Sequence, residues 1–246
     1  MVYFLIPSYN DSENFEKLLE NISQTAKNFK FQVIIVDDGS KDKTKEVAKK
    51  LSLKYPLTLI GYSENKGPGF AFKFGFNFLI SKLKSSDLVV TMEADNTADF
   101  KILPKMLEKA AKFDLVLASP FAAGGKFVRV SSARKLLSLA ANRLDKLIFR
   151  IPEVNTYSSF YRVYRAQIIK KAKKIYQSKF ITEYGFPVFV ELLIKLNKIG
   201  VKICEVPAEV DWTKREGKSK MNIKKSTINH FLLYYKFLTG KYDTPK

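Results

Sequence analysis

The sequence predicts an α/β fold, a mainly parallel twisted sheet flanked by helices, and three observations lead there. Short β-rich runs alternate with amphipathic segments through roughly the first 120 residues, which is the pattern of βαβ units. Polar motifs rich in aspartate and glycine close these runs, where the strands of such a sheet emerge toward ligands. The chain has 246 residues, 46% of them hydrophobic, enough for one large domain with a full core.

Each element follows from its own pattern. VYFLI (2–6) reads as a strand. The segment 11–28 reads as a helix, because Phe15, Leu18, Leu19 and Ile22 share one face. FQVIIV (31–36) is a second strand, followed by a polar helix near 43–53 and a third strand at LTLIGY (57–62). FAFKFGFNFLI supplies a helix face, DLVVTM (87–92) a strand, 102–112 a helix and DLVLAS (114–119) another strand. Beyond that the pattern loosens. FAAGGKFVRVSS is a glycine-containing loop, 133–149 an amphipathic helix, and NTYSSFYRVYR (155–165) a strand or irregular segment. GFPVFVELLIKLNKIG (185–200) is a helix stopped by Gly200, VKICEVPAEVDW returns to β character, and KREGKSKM is a basic loop. INHFLLYYKFL (228–238) reads as a final amphipathic helix.

Charge narrows the partners. Lys and Arg number 43 against 24 Asp and Glu, a net +19 that favours nucleic acid, anionic lipid headgroups or a phosphorylated substrate. Lysines occur along the whole chain, so solvated helix faces account for part of this total, and the cluster at 214–225 is denser. The single cysteine, Cys204, excludes an internal disulfide and a multi-cysteine zinc site, and VKICEV makes it a buried structural thiol. The single histidine, His230, excludes a His-rich metal site and argues against a Ser-His-Asp arrangement. The apolar amino-terminal run is short and lacks a basic leader, and no stretch reaches the length of a transmembrane span. The expected location is the cytosol.

The motifs at the predicted strand ends carry the chemistry. In MEADNTAD (92–99), Glu93 and Asp95 lie two apart on an extended segment and project to one side. Carboxylates held that close repel unless a cation lies between them, and hard oxygen ligands suit Mg²⁺ or Mn²⁺. The plain alternative is an acidic turn ending in a cap residue at Asp99. In VIIVDDGSKDKT (33–44), Asp37 and Asp38 fall at a strand end, Gly39 permits a sharp turn, and Ser40 or Asp42 can cap the next helix. A strand-end aspartate can accept from a nucleobase or ribose, with Tyr9 of IPSYNDSEN stacked beside it, although DDGS also suits a simple turn. In SENKGPGFAFKFG, Phe72 takes the third glycine position of a dinucleotide fingerprint. Gly67 and Gly69 fit better a backbone that approaches a phosphate at a helix start, with Lys66 adding charge, or a glycine-rich loop without function.

Taken in order, PSYND, VDDGSKDKT, NKGPG, EADNTAD, the GG loop, SSFYRVYR, GFPVFVELL, EVP and REGKSKM resemble a family 2 inverting glycosyltransferase. Within it they resemble the polyprenyl-phosphate, dolichyl-phosphate mannose synthase-like branch. The resemblance covers about 1–222, which it implies is one GT-A-type nucleotide-diphospho-sugar transferase domain. Residues 223–246 then form a carboxyl-terminal amphipathic helix and tail without a membrane span. By motif, the resemblance implies that Pro7, Tyr9, Asp11, Val36, Asp38, Lys66, Gly67, Glu93 and Ala94 hold the nucleotide sugar. Asp95, with Glu93 and Thr97, would hold Mg²⁺ or Mn²⁺. Arg134, Ser138 and Arg129 would grip an acceptor phosphate. Arg215 and Lys220 resemble a mobile basic loop that closes over the diphosphates, and Glu191 falls at the family's helix acid near the active site.

The implied reaction moves a sugar from a nucleotide-diphosphate donor to polyprenyl phosphate, an acceptor that is already anionic and needs no strong base. A glycan hydroxyl acceptor is the alternative; it would need a base, for which Asp99 and Glu191 are the candidates. The chain departs from the branch in several places. Glu93 stands where Asp is usual, Thr97 where many have Gln, Pro120 where many have Arg, and Thr156 where Asp is common; Lys126 or Arg129 could replace the lost positive charge. The expected membrane contact is peripheral, at the cytoplasmic face. The aromatic and leucine residues of 228–238 with their flanking lysines suit anionic lipid, packing on the domain, or docking on a separate membrane subunit. No specific nucleic acid is expected, because the strand-end motifs gather acidic residues.

Overall fold

A computed structural model describes residues 1–214 and 223–244 of the chain. Among them nine strands form: β1 (Val2–Ser8), β2 (Phe31–Asp38), β3 (Leu57–Tyr62), β4 (Leu88–Thr91), β5 (Leu115–Ser119), β6 (Lys126–Val128), β7 (Arg162–Arg165), β8 (Ile203–Pro207) and β9 (Glu209–Asp211). Seven make one sheet in the order β3-β2-β1-β4-β7-β5-β8, while β6 and β9 pair as a separate parallel ribbon. Only β7 runs antiparallel, to both its neighbours, so β1 to β5 and β8 all end at the same edge.

The helices are α1 (Phe15–Thr25), α2 (Thr44–Leu51), α3 (Pro68–Ile80), α4 (Leu103–Lys109), α5 (Ser132–Phe149), α6 (Ala166–Tyr176), α7 (Val188–Lys198) and α8 (Ile223–Leu238). They sort into two layers by the period-2 alternation of the strands. Phe4, Ile6, Val33 and Ile35 face a core shared with α1, α2 and α4. Leu5, Ile34 and Val36 face the other core, shared with α3, α6, α7 and α8. Strands buried on both faces explain why VYFLI and FQVIIV read as unbroken apolar runs. Each fully buried large side chain in these layers contributes about 1.5–3 kcal/mol.

Three elements differ from the sequence reading. Helix α6 forms over a segment left unassigned; Ile168, Ile169, Ala172 and Tyr176 are its buried stripe, diluted in sequence by lysines on the solvent face. The β6–β9 ribbon, three residues a side, is too short to show alternation. Cys204 is half-buried in β8 rather than enclosed, and burial pushes its thiol up to about 11, so it stays protonated and inert.

Helix α8 packs into the domain. Leu233 and Tyr234, with Tyr242 beyond the helix, belong to the α3 and α7 core, and the rings of Tyr234 and Phe237 rest on Phe149 of α5. Asp145 of α5, itself buried, accepts from Tyr234 Oη at 2.9 Å and meets His230 Nε2 at 2.6 Å. Outward, α5 exposes Leu136, Leu137, Leu144 and Leu147, and α8 exposes Ile228, Phe231, Leu232, Tyr235 and Leu238. Among the described residues no helix is long and apolar enough to cross a membrane.

Candidate active site

At the carboxyl edge of the sheet, the loops after β1, β2 and β4 are knitted to one another by short polar side chains. Asn10, in the left-handed region at φ 53°, donates its N–H to Ser40 Oγ at 2.9 Å and accepts from Lys41 N at 2.8 Å. Asp11 N donates to Thr44 Oγ1, and the Asp11 carboxylate accepts from Tyr9 N at 3.0 Å. Asp42 accepts from Ser12 Oγ at 2.8 Å and from Thr44 N at 3.0 Å. Against the upward push of burial, these donors hold Asp42 below the usual carboxylate range. PSYND and DGSKDKT thus form a mutual latch that fixes Tyr9 and Asp11, both expected at the nucleoside, beside the end of β2.

The acidic loop is anchored in the same way. Asn96 sits at φ 61°, donates to Asn14 O at 3.1 Å and accepts from Asn21 of α1. Asp95 is buried, and its Oδ1 accepts from Thr97 N at 3.1 Å and from Thr97 Oγ1 at 2.7 Å. Thr97, expected as a metal ligand, therefore acts first as the donor that orients Asp95. Glu93 is half-buried, and Ala94 lies in the core under the loop. Asp99 caps the turn that follows, accepting from Lys101 N and, at 3.2 Å, from Glu209 N of β9. Of the two readings of this stretch, the cap at Asp99 is correct, and the buried, all-oxygen donor at Asp95 fits a hard divalent ion. Among the described residues no group of three or more His, Cys, Asp or Glu side chains gathers as a metal cluster, so such an ion would complete its shell from bound substrate or water.

The β3–α3 loop departs from expectation. Asp38 accepts from Lys66 N at 2.7 Å, Gly67 N at 2.9 Å and Asn65 Nδ2 at 3.0 Å, although burial pushes its carboxyl above the usual range. Gly69 N donates to Tyr184 O at 2.9 Å. The N–H groups expected to cradle a phosphate are therefore engaged within the protein. The two glycines admit another strand of backbone instead: a Cβ on Gly69 would lie 2.1 Å from Glu183 O, and one on Gly67, at φ 94°, 2.6 Å from Tyr184 O. Lys66 Nζ lies over the rings of Phe70 and Tyr62. Gly69→Ala, a change that normally favours a helix, should here cost about 1–3 kcal/mol through the forced backbone shift, read as a lowered denaturation midpoint.

Glu191, expected as a catalytic residue, is engaged within the fold. It is fully enclosed in α7, where it accepts from Thr182 N at 2.9 Å, Thr182 Oγ1 and Glu183 N at 2.8 Å, and pairs with Lys195, itself buried. Val36 likewise turns its side chain into the core against α3. Pro7, at the end of β1, and Ser138, on α5, are half-exposed, and Arg129 is exposed at φ 52°. Lys126, suggested as a replacement charge, is paired with Glu209 at 2.8 Å. Thr156, where an Asp is common, is buried in a hydrogen bond with Ser119 and donates its N–H to Glu205. Arg215, Lys220 and the side chain of Arg134 lie outside the described residues. Sequence reasoning missed Asn10 and Asn96, whose signal was an asparagine placed in a turn that needs positive φ.

Three comparisons bear on this arrangement. Residues 3–172 match the family model for glycosyl transferase family 2. The chain is 30% identical over 233 residues to a dolichol-phosphate mannosyltransferase of Pyrococcus furiosus, covering 94% of this chain and 61% of that protein's length. It is 29% identical over 224 residues to an undecaprenyl-phosphate mannosyltransferase of Micrococcus luteus, covering 90% and 87%. In fold it resembles glucosyl-3-phosphoglycerate synthase from Mycobacterium tuberculosis, solved with Mn²⁺, UDP and phosphoglyceric acid. The TM-score is 0.67 at 14% identity, over 100% of this chain and 80% of that one.

Proposed function

The chain belongs to glycosyl transferase family 2, and from that premise we propose that it transfers a sugar from a nucleotide-diphosphate donor to polyprenyl phosphate at a membrane surface. Transfer builds positive charge at the anomeric carbon and negative charge on the departing diphosphate. A divalent ion held by Asp95 with Glu93 would supply the positive charge that the leaving group requires. The chain's own part is to fix that carboxylate: Thr97 aims it, and Asn96 ties the loop to α1.

The observation that carries the choice of acceptor is the engagement of both candidate bases. A sugar hydroxyl needs a base at hydrogen-bond reach, yet Asp99 is committed as a cap and Glu191 is enclosed and ion-paired. An acceptor phosphate is ionised near pH 7 and needs neither. Asp99→Asn keeps one oxygen for the cap at Lys101 N and gives up the acceptor for Glu209 N, a change in packing that takes no base from the reaction. Transfer to polyprenyl phosphate should therefore stay within about threefold of wild type, a factor that corresponds to less than 1 kcal/mol. A loss of two orders of magnitude in that assay would make Asp99 a base and favour the hydroxyl acceptor.

The leucines of α5 and the aromatics of α8, with exposed Lys135, Arg143, Lys146 and Lys241 nearby, support peripheral contact with anionic lipid. The amino-terminal end of α5 follows closely on β6, whose partner β9 is bonded to Asp99, so this surface begins beside the acidic loop. Leu147→Asp combined with Phe231→Asp should lower cosedimentation with phosphatidylglycerol vesicles about tenfold, in keeping with the apolar area withdrawn from the lipid. Undiminished binding would remove the surface from the account.

A further inference from the structure

We propose that Glu183 is a positioning residue through which α8 sets the β3–α3 loop at the donor site. The inference rests on the reading of the strand ends as that site. Glu183 is buried between α8 and the β3–α3 loop. Its Oε1 accepts from Lys236 Nζ of α8 at 2.5 Å and from Tyr242 Oη at 2.6 Å. Asn229 of α8 also abuts the segment, because a Cβ on Gly185 would lie 3.2 Å from Asn229 Nδ2.

The other side of the segment carries the loop. Tyr184 O receives Gly69 N at 2.9 Å, the Tyr184 ring meets Phe70 edge-on at 5.2 Å, and Glu183 O occupies the space that a Cβ of Gly69 would fill. One turn earlier, Lys66 N and Gly67 N are held by Asp38 at the end of β2. A continuous path of charge-assisted and backbone hydrogen bonds thus runs from Lys236 through Glu183, Tyr184 and Gly69 to Asp38. The charge-assisted bonds in it, to Glu183 and Asp38, are among the stronger ones available to a protein.

Glu191 fixes the segment from beneath through Thr182 N and Glu183 N, so Glu183 is the one acidic link in the path that reaches toward α8. The same helix exposes Phe231, Leu232 and Tyr235. A surface that engages this face of α8 therefore acts on the donor loop in part through the Glu183 carboxylate.

The test combines amide hydrogen exchange with GDP and UDP affinity in the presence of Mn²⁺, on wild type, Glu183→Gln, Lys236→Met and Lys236→Arg in the full chain. In Glu183→Gln and Lys236→Met, exchange at the Gly67 and Gly69 amides should accelerate and nucleotide affinity should fall, each by about tenfold. Turnover at saturating donor should be retained, and Lys236→Arg should restore both readings. Unchanged exchange at Gly67 and Gly69 overturns the proposal, as does acceleration spread equally over β1 and β2, which marks a general loss of stability. Local acceleration in a protein that binds neither nucleotide supports the link from α8 to the loop and overturns the donor-site reading instead.

Discussion

Asp95→Asn is expected to lower sugar transfer by about 10²–10³-fold while leaving the protein folded, a loss of the size seen when one preorganised electrostatic contact to the reacting group is removed. The reason lies in how the carboxylate is held. Its Oδ1 accepts from Thr97 N and Thr97 Oγ1, and an asparagine keeps an oxygen for both donors. The acidic loop retains its turn, and Asn96 retains its bonds to Asn14 and Asn21. What disappears is the negative charge that would hold a hard divalent ion at that position. Initial rates with excess Mn²⁺, set beside a thermal melt of the same sample, separate the two effects. A variant that melts like wild type and transfers at the wild-type rate would show that Asp95 holds no metal.

Glu191→Gln is expected to do the reverse. Glu191 and Lys195 are both fully buried on α7, and removing one partner of such a pair strands the other charge, at a cost of about 3–5 kcal/mol. In a chain of this size that corresponds to a fall in Tm of roughly 10 °C. Burial lowers the pKa of Lys195, and Glu191 counters it, so the variant should recover part of the loss at high pH, where Lys195 can shed its proton. The double variant Glu191→Gln with Lys195→Met leaves no stranded charge and should be more stable than the single one. Calorimetry of the three proteins checks the order. If the single variant kept the wild-type Tm and lost only turnover, Glu191 would be the catalytic group that its place in the sequence suggested.

The contrast between these residues shows which parts of the molecule were legible in the sequence. The strands of the first half were, because runs such as VYFLI and FQVIIV are buried on both faces and cannot be mistaken for solvated segments. The convergence of PSYND, DDGS and EADN at one edge followed from parallel topology alone. Side-chain direction at that edge did not. DDGS presents two aspartates, but neither residue type nor spacing says that Asp38 turns toward Lys66 and Gly67 while Asp37 accepts from Ser40 N on the α2 side.

The glycines of NKGPG misled for a related reason. A glycine reports that something comes close, and here the close neighbour is the 183–184 backbone, more than a hundred residues away in sequence. Glu191 carried a signal of its burial in the sequence itself. In VFVELLIKL, a Glu and a Lys four apart interrupt an otherwise apolar helix, and a helix apolar all round is a buried one, so its charges must pair with each other. The ribbon of β6 and β9 carried no such signal, since three residues do not establish a period.

The central claim is that the acidic edge delivers sugar to a lipid phosphate. It is tested most directly by incubating the protein with Mn²⁺, radiolabelled nucleotide sugars and a short-chain polyprenyl phosphate, then partitioning the mixture between organic solvent and water. The account predicts label in the organic phase, abolished by EDTA and by Asp95→Asn. Label that remains in water on a glycan, or organic-phase label indifferent to EDTA, would contradict it.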